Sequence, residues 1–123
     1  MRVIGLALAA AAFWSASILP AFAEGIDGTW AGPWYRGMTS GTMTLQIESD
    51  GSGVIQMNNL DNFPEDEVAL TNTEKGDTTF NFQAPGDGAA VFVVKTQLTP
   101  DGKILAGSGR YEGFAIKFKL KRR

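Results

Sequence analysis

The side chains best suited to recognition chemistry fall in three short stretches. Trp34-Tyr35-Arg36, with Met38 just beyond, sets aromatic faces beside a guanidinium. That combination suits a partner surface or the flat face of a sugar. Asn58 to Glu67 carries four carboxylates, Asp61, Glu65, Asp66 and Glu67, around Phe63. Oxygen-rich loops bind Ca²⁺, but this spacing departs from the EF-hand loop and lacks its central glycine. The stretch reads as a solvated loop with Phe63 tucked against the domain, and no metal site is expected. Lys117 to Arg123 holds five cations in seven positions. As a strand, Lys117, Lys119 and Lys121 form its solvent face, where lysine also deters edge pairing, while Phe118 and Leu120 turn inward. Arg122 and Arg123 extend past that strand, where they could still touch an anionic surface.

Catalytic groupings are harder to assemble. The 123 residues include no Cys and no His, which removes thiolate nucleophiles, Ser-His-Asp chemistry, and histidine- or cysteine-ligated zinc and haem. The carboxylates fall mainly in turns, and none lies on a predicted inward face where burial would raise a pKa for acid–base work. Serines and threonines lack a base of the usual type, a Ser-Lys pair being the one combination left open. No glycine-rich phosphate loop precedes a helix, because no helix is predicted. The expectation is a protein that is not an enzyme and needs no cofactor.

The elements that position these side chains are strands. Met43, Leu45 and Ile47 alternate with polar residues, as do Phe80 and Phe82, and Phe114, Ile116, Phe118 and Leu120. This is the two-residue period of a half-buried strand. Between Ala90 and Leu98, Phe92, Val94 and Leu98 share one face, with Val91, Val93, Lys95 and Gln97 on the other. Asp50-Gly51-Ser52-Gly53, Pro85-Gly86-Asp87-Gly88, Pro100-Asp101-Gly102 and Tyr111-Glu112-Gly113 supply turn chemistry. Eight strands result, over 28–36, 41–48, 53–58, 67–71, 78–83, 89–98, 103–110 and 113–121. Only the connection 59–66 is long. Eight sequential antiparallel strands bury one face by closing into an up-and-down barrel or by flattening into a sandwich, and closure removes exposed edges. The barrel is therefore expected. Trp30, Met43, Phe80, Phe82, Phe92, Phe114 and Phe118 form the predicted inward set. Their bulk fills a barrel of this size and leaves only a shallow pocket at one mouth.

Residues 1–23 read differently. Met1-Arg2 gives a positive start, Val3 to Trp14 carries no charge, Pro20 breaks the run, and Ala21-Phe22-Ala23 offers a small-x-small cleavage site. That pattern is a secretory signal, too interrupted for a membrane span, with cleavage after Ala23 and a single barrel domain over 24–123. Those first 23 residues hold 18 of the chain's apolar side chains; the following 100 keep 36, enough for one core. With 10 basic and 13 acidic side chains, residues 24–123 carry 10 − 13 = −3. That balance does not steer the protein toward nucleic acid or anionic lipid. The short leader and Cys-free chain suit a bacterial periplasm or culture medium.

Gly28-Thr29-Trp30, opening the first strand, resembles the Gly-x-Trp signature of lipocalins and other calycin barrels. The resemblance implies that Trp30 packs across one barrel end against a basic residue of a late strand, Arg110, Arg122 or Arg123. The chain is shorter than a lipocalin and lacks the usual disulfide and C-terminal helix. The wider pattern, Gly28-Thr29-Trp30-Ala31-Gly32 with the late Asp101-Gly102-Lys103-Ile104-Leu105-Ala106-Gly107, is similar to small bacterial secreted or periplasmic calycin-like domains. Gly28-Thr29-Trp30-Ala31-Gly32 by itself also resembles nitrobindin-like haem barrels, whose axial His is missing here, and in size and location the chain resembles a lipocalin-like periplasmic inhibitor of secreted metalloproteases, whose disulfide is missing.

The expected function is a non-catalytic exported binding module. A small apolar or amphipathic molecule would sit at the barrel mouth, lined by Trp34, Tyr35 and Phe63 with Arg36 fixing a polar end. The alternative is a protein-interaction module, an inhibitor or envelope accessory factor, using the same loops without a small-molecule ligand. Sequence leaves the oligomeric state open.

Overall fold

A computed structural model describes residues 25–123; the leader read over 1–23 lies outside the described residues. Nine strands run β1 Gly28–Arg36, β2 Thr39–Ile47, β3 Gly53–Met57, β4 Val68–Ala69, β5 Thr71–Lys75, β6 Thr79–Pro85, β7 Val91–Leu98, β8 Ile104–Tyr111 and β9 Phe114–Arg122. All neighbours pair antiparallel, in one sheet ordered β4-β3-β2-β1-β9-β8-β7-β6-β5. No helix is present among the described residues.

The strand count corrects the expected eight. The segment foreseen over 67–71 becomes two short strands that serve opposite ends of the sheet. Val68 and Ala69 pair with β3, whereas Thr71 pairs with Gln83 of β6. Between them the Leu70 amide still donates to the Gly53 carbonyl at 3.0 Å. A bulge between Thr71 and Glu74, with Asn72 at φ 50°, redirects the chain. Because one residue separates the two edge strands, the sheet curls until its ends meet, giving a nearly closed barrel rather than two stacked sheets.

The interior follows the alternation. Trp30, Trp34, Met43, Leu45, Ile55, Phe80, Phe82, Phe92, Val94, Leu105, Ile116, Phe118 and Leu120 all turn inward and are buried. Glycines within strands make room for rings. A Cβ on Gly107 would lie 2.3 Å from the Phe118 ring, and one on Gly41 would lie 2.6 Å from the Trp34 indole nitrogen. Thr96 is the buried polar residue, its hydroxyl donating to the Phe80 carbonyl at 2.8 Å. That bond removes the cost of a polar group in the core.

Phe114 departs from the predicted inward set: it is 56% exposed. Its position in the alternation is the inward one, but it is the first residue of β9, past the barrel rim. Tyr111, its cross-strand partner, is buried nearby. The Arg36 guanidinium instead stacks 4.7 Å over the Phe114 ring.

Both ends of the barrel are covered. At one end Gly25 to Asp27 folds over the strands with Ile26 buried, and the Trp30 indole donates to the Ile26 carbonyl at 3.0 Å. Arg122 donates to the carbonyls of Asp27 and Gly25, each at 2.7 Å, and Lys75 meets the Asp27 carboxylate at 2.8 Å. The tight turns at this end are locked by Asp50 and Asp101. Hydrogen bonds from the Ser52 and Thr99 hydroxyls hold these two carboxyls below the usual carboxylate range. The other end is closed by the long loop described next.

Candidate functional site

The four residues expected to line a mouth are distributed over two environments. Trp34 is fully buried and its indole donates to the Asn58 carbonyl at 3.1 Å. Phe63 is buried as well, edge-on to Phe92 and Tyr111 with ring centroids 6.2 and 5.5 Å away. Tyr35 alternates with Trp34 and so stands on the outer wall, 52% exposed. Arg36 lies at the rim on Phe114. The structure thus sets Trp34 and Phe63 inside and Tyr35 outside, with Arg36 between.

Asparagines build the loop that carries Phe63. Asn58 accepts from the Thr42 amide through its side chain at 2.8 Å, and the Asn59 side chain donates to the Ser40 carbonyl at 2.7 Å. Asn59 and Asn62 both adopt positive φ, which asparagine tolerates better than most residues. The Asn62 carbonyl accepts from the Tyr111 hydroxyl and from the Asp87 amide. Burial, and after it the nearby Glu112 charge, raises the Tyr111 hydroxyl above the usual phenol range. Phe63 is therefore the plug of this mouth, pinned by a network that reaches β2, the end of β8 and the β6–β7 connection. Asn58, Asn59, Asn62 and Tyr111 were not foreseen as a unit; the run of asparagines in 58–62 was the available signal. No cluster of three potential metal ligands occurs among the described residues.

With both ends covered and the interior filled by rings, accessible concavity lies on the outer wall. Outward positions of β8 are short: Ala106 and Ser108 stand between the long outward side chains of β7 and β9. Cross-strand register makes the rows explicit. One runs Tyr35, Lys117, Ser108, Lys95, and the next is Lys119, Ala106, Gln97. A long–short–long profile across three strands is a trough along β8, about 20 Å from Ile104 to Arg110 at ~3.4 Å per residue. One section, of about 640 Å³, is lined by Pro33 and Tyr35 of β1, by Lys117, Lys119 and Lys121 of β9, and by Ile104 and Ala106 of β8. A second section of about 560 Å³ continues between Val93, Lys95, Arg110 and Lys117.

The electrostatics of this wall are one-sided. Of the residues within the nine strands, Glu74 of β5 is the one carboxylate. The outward positions of β1, β7, β8 and β9 carry Lys95, Arg110, Lys117, Lys119 and Lys121 and no acidic residue. Acidic residues sit in the turns and in the loop between β3 and β4, and β3 lies across the barrel from β8. A chain acidic overall therefore presents one cationic face. In comparisons with protein families, curated proteins and solved structures, nothing matches this chain.

Proposed function

We propose that the protein is a non-catalytic binding module for a small amphipathic molecule, exported from a bacterial cell and held in the trough along β8. The observation that carries the reading is the shape and chemistry of that trough. Its section of about 640 Å³ falls within the range of ligand sites. Pro33, Tyr35 and Ile104 offer apolar surface, and the stems of Lys117, Lys119 and Lys121 extend it while their ammonium groups wait for an acidic end. The mouth expected to hold the ligand is occupied by Phe63, so the outer wall is the better seat. Export is supported by the signal-like pattern of residues 1–23. The resemblance to calycin-like envelope domains agrees with a binding role.

Native mass spectrometry of the protein purified from its host tests both parts. The expected spectrum shows a chain beginning at Glu24 with a retained small molecule, lost in Ala106→Trp, which fills the trough from the outside. A retained molecule that survives Ala106→Trp would move the site elsewhere, and a chain beginning at Met1 in the exported fraction would remove the leader.

A further inference from the structure

Among the described residues five large apolar side chains are exposed, and all five lie toward one rim. Met38, at the tip of the β1–β2 turn, is fully exposed (103%); Phe114, Tyr35, Val93 and Val91 are 56%, 52%, 47% and 42% exposed. Three of them flank tight turns, Arg36-Gly37-Met38-Thr39 and Tyr111-Glu112-Gly113-Phe114, where Gly37 and Gly113 take positive φ. Neither turn needs an apolar residue: glycine supplies the conformation, and Met38 packs on nothing. Immediately behind these tips comes positive charge. Arg36 stacks on Phe114, Arg110 pairs across from Val93 and Ala115, and Lys117 is level with Tyr35 and Lys95.

We infer that this rim and the adjoining wall of β1, β9, β8 and β7 dock on an anionic lipid surface. The layering fits a bilayer boundary. Met38 and Phe114 lead, Arg36 follows, and Tyr35, Lys117 and Lys95 lie level with one another, about 10 Å behind Phe114 at ~3.4 Å per residue. Peripheral segments bury their apolar face about 5–10 Å into the headgroup boundary, which would bring those lysines level with lipid phosphates. A second copy of the chain is a poorer occupant, because a self-complementary contact would set this cationic wall against itself. Acidic groups do not block the approach. Glu112, in the β8–β9 turn, is drawn back to the Asn62 side chain at 3.2 and 3.3 Å. Asp61 and Asp87 face the same mouth, while Glu65, Asp66 and Glu67 sit beside β3 and β4 on the far side of the barrel. The molecule is dipolar, and it meets lipid obliquely, by its basic side. No helix among the described residues is long and apolar enough to cross a membrane.

Vesicle flotation of the whole chain tests the contact and is independent of the trough's ligand. Any apolar contribution of residues 3–14 is common to every variant. Binding is expected to vesicles of 30% phosphatidylglycerol in phosphatidylcholine, to be weak on pure phosphatidylcholine, and to fall sharply at 0.5 M salt. Lys95→Gln and Lys117→Gln should each lower partitioning by about fivefold. Met38→Ser with Phe114→Ser should abolish most of it, near-ultraviolet circular dichroism confirming that these exposed substitutions leave the fold intact. Equal binding to both vesicle types, or no loss in the Met38/Phe114 variant, overturns the inference. Equal capture by soluble dextran sulfate regardless of Met38 and Phe114 would make the wall a polyanion site instead, and a stable dimer in solution would make it a self-interface.

Discussion

The Arg122 guanidinium lies 4.3 Å above the Trp30 ring and is held there by two backbone carbonyls, those of Asp27 and Gly25. One side chain thereby joins the first strand, the last strand and the segment that covers this barrel end. Trp30 and Arg122 are cross-strand neighbours, so the stacking follows from register. Of the three arginines that the Gly-x-Trp resemblance offered to Trp30, Arg122 is the one the fold supplies.

Trp30→Ala should cost on the order of 3–5 kcal/mol, the usual range for deleting a large buried aromatic. Arg122→Ala should cost about 2 kcal/mol, and Arg122→Lys should recover little, because an ammonium cannot stack and bridge two carbonyls with one planar fork. Urea titrations of the three variants check the ranking. A near-neutral Arg122→Ala would mean the end cover is held without it, by Ile26, the Trp30 indole and the Lys75–Asp27 ion pair.

Gly107 and Phe118 make a second pair whose fit is testable. The Cβ of Gly107→Ala would fall 2.3 Å from the ring, closer than any real contact. The single substitution should destabilise by about 1–3 kcal/mol through overpacking. Phe118→Leu opens space beside it, so the double variant should lie closer to Phe118→Leu alone than additivity allows. Strict additivity in a double-mutant cycle would show that the ring does not depend on that glycine.

Tyr111 sets the alkaline limit at the plugged mouth. Its hydroxyl donates to the Asn62 carbonyl in the folded state, and burial raises its pKa above that of the unfolded chain. The group therefore contributes stability in full below the ordinary phenol pKa of about 10 and loses it as pH rises through the raised folded value. Tyr111→Phe should lower stability by about 1 kcal/mol at neutral pH and flatten the decline above pH 10. Thermal melts of parent and variant from pH 7 to 11.5 provide the check; parallel curves would contradict the assignment.

Much of the fold was legible because it rests on alternation. The faces of β7 and β9 follow directly from Phe92 against Val93 and from Ile116 against Lys117. Phe114 escaped the rule because alternation gives a side but not a height, and its side chain stands above the rim. The split of β4 from β5 escaped because Leu70 looks like any apolar strand residue; only tertiary closure explains the bulge after it. In-strand glycines were legible as turn formers but not as seats for rings, since Gly107 and Phe118 meet only once β8 and β9 are in register. The trough was hidden for a related reason. Lys117, Lys119 and Lys121 were read as a solvent face, but their short neighbours Ala106 and Ser108 come from another strand. Overall acidity concealed the cationic wall, because charges separated by the barrel's width cancel in a sum and not in space.

The barrel interior is filled by its own side chains, and the proposed binding is on the outside. Amide chemical-shift mapping with dodecanoate, a simple anionic amphiphile, addresses it directly. Shifts are expected on Ala106, Ser108, Lys117, Lys119 and Lys121, with the core signals of Phe80, Phe92 and Leu105 unmoved. Saturable shifts centred on those core residues, with the outer wall silent, would contradict it.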